Sequence, residues 1–292
     1  MGETVIGVIG GSGLYGMEGL TDTEWRRIES PFGAPSDELL FGRLDGVQMV
    51  FLPRHGRGHR ISPSGINYRA NIDAMKRAGV TDIVSVSACG SFHEALAPGT
   101  FVIVDQFIDR TFAREKSFFG NGLVAHVSMA DPVCSRLGDA LEAAARDTHI
   151  GHVRGGTYLT MEGPQFSTRA ESFMYRDWGC SVIGMTNMPE AKLAREAEIC
   201  YATVAMVTDY DCWHEAHDAV DVAAVLEVLQ GNAVKAQKLV AAVAPKLAGA
   251  RSVCHAGCDR ALEVALITAP DARDPKMAAK LDAVAGRVLQ GA

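Results

Sequence analysis

Residues 200–213 read CYATVAMVTDYDCW, an apolar and β-branched run that ends abruptly in two carboxylates, Asp209 and Asp211. A run with almost no polar interruption is typical of a strand buried on both faces of a parallel sheet. In open α/β sheets, ligands bind outside the carboxyl ends of the strands. The stretch therefore predicts a central strand whose carboxyl end belongs to a binding site.

The spacing of the two acids gives this end of the strand chemical meaning. If the extended geometry persists, Asp209 and Asp211 are two residues apart and point to the same side. Neighbouring carboxylates can hold a divalent metal, share a proton, or accept hydrogen bonds from a donor-rich heterocycle. The alternative is a polar turn that only closes the strand.

Composition limits the class of protein. The chain has 292 residues, of which 48% are hydrophobic and 22% charged, as in an ordinary globular protein. It contains no long Pro/Ser linker, charge block or repeat, so we expect one domain over residues 1–292. The net charge of −7 argues against nucleic acid as a partner. No basic region followed by a long apolar segment stands at the start, so we expect a cytoplasmic protein with no membrane partner.

The cysteines predict no disulfide framework. They are odd in number and scattered, mostly in apolar runs, which favours reduced and buried thiols. Cys254 and Cys258, with His255 between them, could suggest a metal site, but one such pair without a second is a weak signal. The seven cysteines are Cys89, Cys134, Cys180, Cys200, Cys212, Cys254 and Cys258.

Strand-like and helix-like segments alternate over most of the chain, which predicts an α/β fold with a mixed, largely parallel sheet wrapped by helices. The predicted strands are 5–9, 39–44, 47–52, 82–91, 101–105, 156–161, 181–186 and 200–209. The predicted helices are 71–78, one starting at Asp131-Pro132, one at a Thr168 capping box, one opened by Asn187 and Glu190, a long one capped by Asp221, and 274–289. Asp45-Gly46 predicts a tight hairpin turn, and the tail from Arg251 is less patterned.

Three predicted strand ends offer hydrogen-bond donors for an anion. Residues 10–13 read GGSG, where glycines let backbone N–H groups approach a ligand and Ser12 adds a hydroxyl. Residues 53–60 read PRHGRGHR, and arginine supplies a planar fork of donors. Residues 87–91 read SACGS. A plain tight turn and a solvated basic loop are the alternatives for the first two.

Taken together, these motifs resemble the trimeric class of the purine nucleoside phosphorylase superfamily, and within it the members that cleave 5′-methylthioadenosine. The resemblance runs from about Val5 to Leu247. It is carried by GGSG at 10–13, RHG at 54–56, SACGS at 87–91, DQFIDRT at 105–111, EGPQF at 162–166, Met185-Thr186, and TDYDCW at 208–213.

The resemblance implies six residues that bind inorganic phosphate: Ser12, Arg54, His55, Ser87, Ala88 and Thr186. Close relatives often carry threonine at the positions of Ser12 and Ser87, and the hydroxyl is retained here. Hydroxyl, guanidinium and backbone donors are what a tetrahedral dianion requires.

The resemblance also implies how a nucleoside is bound. Met185 packs under the ribose and base, and Phe166 is the aromatic partner of the base, although a buried Phe is often only core. An acid near purine N7 can share a proton as the glycosidic bond breaks, and a carboxylate can accept from a 6-amino group. We therefore expect Asp209 to be catalytic and Asp209 and Asp211 together to favour adenine over hypoxanthine.

The 5′ end of the substrate is implied to meet three valines, Val220, Val222 and Val225. Relatives that take ordinary nucleosides have a histidine at the position of Val225, which contacts the 5′-hydroxyl. An aliphatic slot suits a thioether methyl and would leave a hydroxyl unpaired. The resemblance further implies that Ser167 and Val222 contribute to specificity. The alternative is that the valines are only the core stripe of a helix.

Two further positions concern the assembly and the shape of the pocket. His126 resembles a residue that reaches into the neighbouring subunit's pocket, which implies a homotrimer. Gly184 departs from the asparagine common in relatives.

The expected reaction follows from the resemblance. Phosphate attacks C1′ of 5′-methylthioadenosine and releases adenine and 5-methylthioribose 1-phosphate, with nucleoside and phosphate as partners and with no metal or organic cofactor. The alternatives are a phosphorylase for 6-oxopurine nucleosides or methylthioinosine, a nucleosidase that uses water, and a nucleoside-binding protein without catalysis.

Overall fold

The computed structural model describes residues 2–11, 13–214, 222–251 and 253–289, with the side chains of residues 222–225 excluded. Its strands are β1 Val5–Gly10, β2 Thr21–Arg26, β3 Leu39–Leu44, β4 Val47–Pro53, β5 Asp82–Ser91, β6 Phe101–Ile103, β7 Gln106–Asp109, β8 His152–Arg154, β9 Thr157–Thr160, β10 Val182–Gly184 and β11 Cys200–Asp209. Its α-helices are α1 Tyr68–Arg77, α2 Ser135–Asp147, α3 Arg169–Asp177, α4 Asn187–Glu196, α5 Val222–Leu247, α6 Pro275–Lys280 and α7 Asp282–Leu289.

The described strands form one mixed sheet in which parallel pairings outnumber antiparallel ones by six to four. Strands β4, β1, β5 and β11 are neighbours in that order and all run parallel. Their carboxyl ends therefore meet at one edge of the sheet. The predicted α/β fold class is confirmed, as is the position of residues 200–209 as a buried strand.

The predicted hairpin between β3 and β4 is also confirmed. Asp45 and Gly46 have φ values of 49° and 80°, so both central residues are left-handed, as a type I′ turn requires. Because this turn matches the twist of the strands it joins, it fixes the register in which Leu44 faces Val47. Strand β4 is thereby aligned so that Arg54 follows directly at its end.

Helices cover both faces of the sheet, and the strand residues alternate between the two cores. On one face, Val84, Val86 and Val204 pack with helices α2 and α5. On the other face, Ile83 and Tyr201 pack with helices α1, α4 and α7. Burial on both faces explains why the central strands read as continuous apolar runs.

Most of the tail after Arg251 packs into this second core, whereas Cys254 and Cys258 belong to the first. Ala125 forms a β-bridge with Leu266, and the Ile267 N–H donates to the Val124 carbonyl at 2.9 Å. Val284 of α7 is 1% exposed and lies among the residues that cover the sheet. The tail therefore completes the domain, despite its weaker sequence pattern.

Three helix predictions needed correction at their ends. The helix predicted from Asp131-Pro132 begins only at Ser135, because the Cys134 N–H donates to the Tyr201 carbonyl at 2.8 Å and holds the preceding chain extended. The helix expected over 71–78 begins at Tyr68, since Asn67 caps it. The single helix predicted for 274–289 is two helices, α6 and α7.

No helix within the described ranges combines the length and the apolar character needed to cross a bilayer.

The buried carboxyl group of Glu196 should make the stability of the fold depend on pH. Glu196, at the end of α4, is 6% exposed and accepts hydrogen bonds from the Ser117 hydroxyl and the Phe118 N–H, each at 2.7 Å. Burial outweighs these bonds and raises the pKa of Glu196 to about 7. The folded state therefore binds a proton in a pH range where the unfolded chain has released it.

We predict that Glu196→Gln flattens the pH dependence of stability. Because the folded pKa is raised, the wild type should lose stability as pH rises from about 4.5 to about 7, at up to about 1.4 kcal/mol per pH unit from this group. Urea unfolding at several pH values measures the slope. The exposed Glu29→Gln is the control and should leave it unchanged, and an unchanged slope in Glu196→Gln would contradict the prediction.

Candidate active site

The carboxyl ends of β1, β4, β5 and β11 open into a cavity of about 620 Å³. Its size is ordinary for a site that holds a small molecule. Strand β10 and helix α5 close it from the sides. Its lining residues include Gly11, Gly13, Leu14, Arg54, His55, His59, Ser87, Ala88, Gly90, Met161, Phe166, Gly184, Met185, Thr186, Met206, Thr208, Asp209, Asp211, Leu226, Leu229, Gln230 and Ala233.

Nine of the predicted site residues line this one cavity: Arg54, His55, Ser87, Ala88, Phe166, Met185, Thr186, Asp209 and Asp211. Ser12 and Val220 lie outside the described residues, as do the side chains of Val222 and Val225. Gly11 and Gly13, which flank Ser12 in the sequence, both line the cavity. The roles given to Ser12 and the three valines stay predictions.

Arg54 is buried and held from several sides. Its guanidinium makes a bidentate ion pair with Glu190, through Nε at 2.8 Å and Nη2 at 3.0 Å. Nη1 donates to the Val86 carbonyl at 2.9 Å, and Nη2 also donates to the Ser85 hydroxyl at 2.6 Å and the Ile9 carbonyl at 3.2 Å. Burial alone would lower the pKa of Arg54, and the Glu190 carboxylate raises it above its usual value.

These hydrogen bonds leave one N–H donor of the Arg54 guanidinium without an acceptor among the described residues. No residue in the described part of the chain accepts the second Nη1 hydrogen of Arg54. Glu190 balances the charge of the guanidinium. Arg54 therefore provides the cavity with a hydrogen-bond donor of fixed orientation rather than with an unpaired positive charge.

His55 stands beside Arg54 with its ring orientation fixed. Nδ1 lies 2.8 Å from the Ile61 carbonyl, which can only accept, so Nδ1 carries the proton. Burial lowers the pKa of His55 to about 4, so near pH 7 the imidazole is neutral and Nε2 is an acceptor. The His55 ring stacks on His59, with centroids 4.2 Å apart.

Ser87 and Thr186 bring hydroxyls to the same end of the cavity. Ser87 Oγ lies 3.1 Å from Tyr158 Oη and 3.1 Å from Asn187 Oδ1. Asn187 is fully buried and donates to the Tyr201 hydroxyl at 2.9 Å, so its carboxamide is fixed. This chain of buried polar groups orients the Ser87 hydroxyl.

The Tyr158 side chain packs directly against the backbone of Gly184. A Cβ added at Gly184 would lie 1.8 Å from Tyr158 Oη. The tyrosine hydroxyl therefore fills the space that a side chain at position 184 would need. With glycine at 184, the Tyr158 hydroxyl has room to lie 3.1 Å from Ser87 Oγ.

A β-bulge decides how the two carboxylates are presented. Opposite β5, Val207 faces Cys89 and Asp209 faces Gly90, so Thr208 is an extra residue. The strand ends at Asp209, and Asp211 has a left-handed φ of 53°. The expectation of continued extended geometry was therefore wrong.

Asp209 and Asp211 nevertheless lie together. A Cβ added at Gly90 would lie 2.8 Å from Asp209 Oδ1 and 3.3 Å from Asp211 Cβ, so both acids pack over this glycine. The Asp211 N–H donates to Asp209 Oδ1 at 2.8 Å, and the Thr208 hydroxyl donates to Oδ2 at 2.8 Å. Burial raises the pKa of Asp209 and of Asp211 above the usual value. A raised pKa favours the protonated form that an acid catalyst needs.

Met185 and Phe166 form an apolar wall next to the acids. Gly163 lets Met185 pack closely, since a Cβ there would lie 2.5 Å from its sulfur. Phe166 is 48% exposed and free to contact a ligand. Arg114, whose side chain is 1% exposed, holds the Met185 carbonyl at 2.6 Å and the Glu162 carbonyl at 2.6 Å.

Two predicted residues do not line the cavity. The Ser167 hydroxyl lies 3.7 Å from the sulfur of Met161, and its hydrogen bond to Asp211 partly offsets the rise in the pKa of that carboxyl. His126 is exposed, and its backbone N–H donates to the Ala265 carbonyl at 2.9 Å. Their proposed roles in specificity and in a neighbouring subunit stay predictions.

Sequence reasoning missed several residues that shape the site. Glu190 was assigned only to the start of a helix, and Tyr158 only to a strand. Arg114 and His59 carried no assigned role, although His59 stands in the same basic loop as His55. Helix α5 contributes Leu226, Leu229, Gln230 and Ala233 to the cavity.

Comparison with known proteins agrees with this geometry. Residues 5–245 match the phosphorylase superfamily. An S-methyl-5′-thioadenosine phosphorylase from Cereibacter sphaeroides is 66% identical over 289 residues, which is 99% of this chain and 100% of the relative.

Solved structures are similar as well. A methylthioadenosine phosphorylase from an antarctic soil metagenomic library superposes with a TM-score of 0.91 at 48% identity, over 96% of this chain and 98% of that one. A methylthioadenosine phosphorylase from Schistosoma mansoni in complex with adenine superposes with a TM-score of 0.78 at 39% identity, over 84% of this chain and 91% of that one. The chain belongs to the phosphorylase superfamily.

Proposed function

We propose that this protein is a pentosyltransferase that cleaves 5′-methylthioadenosine with inorganic phosphate, giving adenine and 5-methylthioribose 1-phosphate. The observation that carries the proposal is one cavity lined both by Arg54, His55 and Ser87, whose chemistry suits an anion, and by Asp209 and Asp211, whose chemistry suits a purine. Relatives 66% identical over almost the whole chain bear the name of that enzyme.

Phosphate is bound by directed donors rather than by net charge. The remaining Nη1 hydrogen of Arg54, the Thr186 hydroxyl and the backbone at Ala88 supply donors, with Ser12 as a further hydroxyl. Ser87 donates as well once its hydroxyl turns from Asn187 Oδ1 to a phosphate oxygen. Neutral His55 accepts through Nε2, so it selects the oxygen of hydrogen phosphate that carries the proton. This orientation leaves an unprotonated oxygen for attack on C1′.

The base end is built for adenine as a leaving group. Attack by a phosphate oxygen forms the C1′–O bond as the C1′–N9 bond breaks, and Asp209 shares a proton with N7 while the sugar is cationic. Adenine gains one proton and hydrogen phosphate loses one, so the reaction balances. Asp211 accepts from the 6-amino group, and a 6-oxo purine would place an acceptor against this carboxylate.

The 5′ substituent contacts apolar side chains of α5 that line the cavity. Leu226 and Leu229 line the cavity, next in sequence to Val220, Val222 and Val225. A methylthio group loses nothing in such a slot, whereas a hydroxyl would stay unpaired. Ser167 and Val222 complete the predicted specificity set, and Phe166 and Met185 enclose base and ribose.

A homotrimer in the cytoplasm, with no cofactor, is part of the proposal. His126 is exposed in the single chain, as a residue that serves a neighbouring pocket must be. Sedimentation velocity should give three times the mass of the chain, and His126→Ala should raise the KM for the nucleoside without changing that mass. A monomer that is fully active would overturn the trimeric site.

The test of the function is adenine release from 5′-methylthioadenosine with and without phosphate, beside inosine and methylthioinosine. Release that depends on phosphate supports the proposal. Release without phosphate would identify a hydrolase, and a preference for the hypoxanthine substrates would overturn the assignment of Asp209 and Asp211. No release from any substrate would leave a binding protein.

We predict that Asp209→Asn lowers kcat by about 10²- to 10⁴-fold, because an amide cannot donate an acidic proton to N7. Phosphate binding, measured by calorimetry, should be retained because Asp209 is at the purine end. Asp177→Asn, an exposed change at the end of α3, is the control. Unchanged turnover in Asp209→Asn would refute its role.

We predict that Tyr158→Phe raises the KM for phosphate by about fivefold, since it removes one hydrogen bond of about 1 kcal/mol that orients Ser87. The value of kcat should change less, because the phenol does not touch the reacting atoms. Buried Tyr175→Phe is the matched control. Equal KM values in the two variants would show that the contact with Ser87 has no effect.

A further inference from the structure

Four cysteines far apart in sequence come together at the other end of the central strand. The sulfur atoms of Cys134, Cys200, Cys254 and Cys258 all lie within 4.8 Å of one another. All four side chains are buried, with at most 1% of each residue exposed. Only the pair Cys254 and Cys258 was visible as a motif in the sequence.

The arrangement matches the ligand set of one tetrahedral metal ion. Zinc–thiolate bonds of about 2.3 Å place neighbouring sulfurs about 3.8 Å apart in a regular tetrahedron. The Cys134 and Cys254 sulfurs are 3.6 Å apart, and the other separations need to shorten by no more than about 1 Å. Soft thiolates select zinc over the hard cations magnesium and calcium.

The surroundings suit a negatively charged centre. Arg251 Nη2 lies 3.5 Å from the Cys200 sulfur, and Arg136 is two residues from Cys134. Asp82 is fully buried and pairs with both arginines. One carboxylate cannot balance two guanidinium groups, so one positive charge remains next to the cysteines. The Nε atoms of both arginines are buried and have no acceptor among the described residues.

The geometry also weighs against paired disulfides. In two disulfides the four sulfurs would divide into two bonded pairs of about 2 Å. Here every sulfur is near all three others, so no pairing is singled out. One shared central ligand accounts for that symmetry.

We propose that Cys134, Cys200, Cys254 and Cys258 bind one zinc ion as four thiolates in a structural site. The ion ties three segments together: the start of α2, the first residue of β11, and the loop after α5. Four protein ligands leave no open position for substrate, so the site is closed. The proposal changes the expectation of no metal only for this end of β11. Asp209 lies nine residues further along the strand, about 30 Å away, so the zinc takes no part in the cavity.

The proposal is tested on the full chain, expressed with zinc and purified under reducing conditions without chelators. We expect about one zinc per chain by mass spectrometry. Cobalt-substituted protein should show the intense visible bands of tetrahedral thiolate coordination. Mercurial modification of the thiols should release the zinc, and metal removal should lower Tm by about 5 °C.

Variants separate the cluster from the other thiols. Cys258→Ser and Cys134→Ser should lose most of the zinc, whereas Cys180→Ser, a buried cysteine outside the cluster, should keep it. If the cluster variants fail to fold, the zinc content and cobalt spectrum of the wild type still decide. Far less than one zinc with all seven thiols titratable after denaturation would overturn the proposal, as would three or five thiols, which would indicate disulfides.

Discussion

The buried ion pair between Arg54 and Glu190 is the interaction on which the site depends. Both side chains are 2% exposed, and removing one partner of such a pair costs about 3–5 kcal/mol because the other charge stays buried. The same guanidinium binds carbonyls at the end of β1 and within β5, while Glu190 belongs to α4. One group therefore fixes the positions of three strands and a helix around the cavity.

A consequence of this pairing is a cavity whose groups are oriented but nearly neutral. Arg54 is compensated, and His55 is uncharged near pH 7 because burial lowers its pKa to about 4. Groups that are already oriented need little rearrangement when they bind a ligand, so in the proposed reaction phosphate would meet preorganised hydrogen-bond partners. Around Asp209, burial acts in the opposite direction and raises the pKa of the carboxyl above its usual value. In both places burial shifts the pKa of an ionisable group that lines the cavity.

Local sequence patterns predicted those features of the cavity that lie within one continuous segment of the chain. The apolar run at 200–209 and the polar residues after β1, β4 and β5 predicted where the cavity lies, since parallel neighbours end at one edge of the sheet. The partners of those residues could not be read in the same way. Glu190 is 136 residues from Arg54, and Tyr158 is 71 from Ser87. The sequence shows no period or motif that links such positions, because only the packed sheet brings them together.

The central strand β11 has a pair of carboxylates at one end and the cysteine cluster at the other. At the carboxyl end, the bulge at Thr208 turns the chain so that both acids pack over Gly90. A bulge lets an acid leave the regular ladder, and it requires that the rest of the strand stay in register. Cys200 pairs in register with Asp82 at the opposite end, beside the cysteine cluster. If the cluster binds zinc as proposed, the ion would hold this end of β11 in the register that places both carboxylates over Gly90 at the other end.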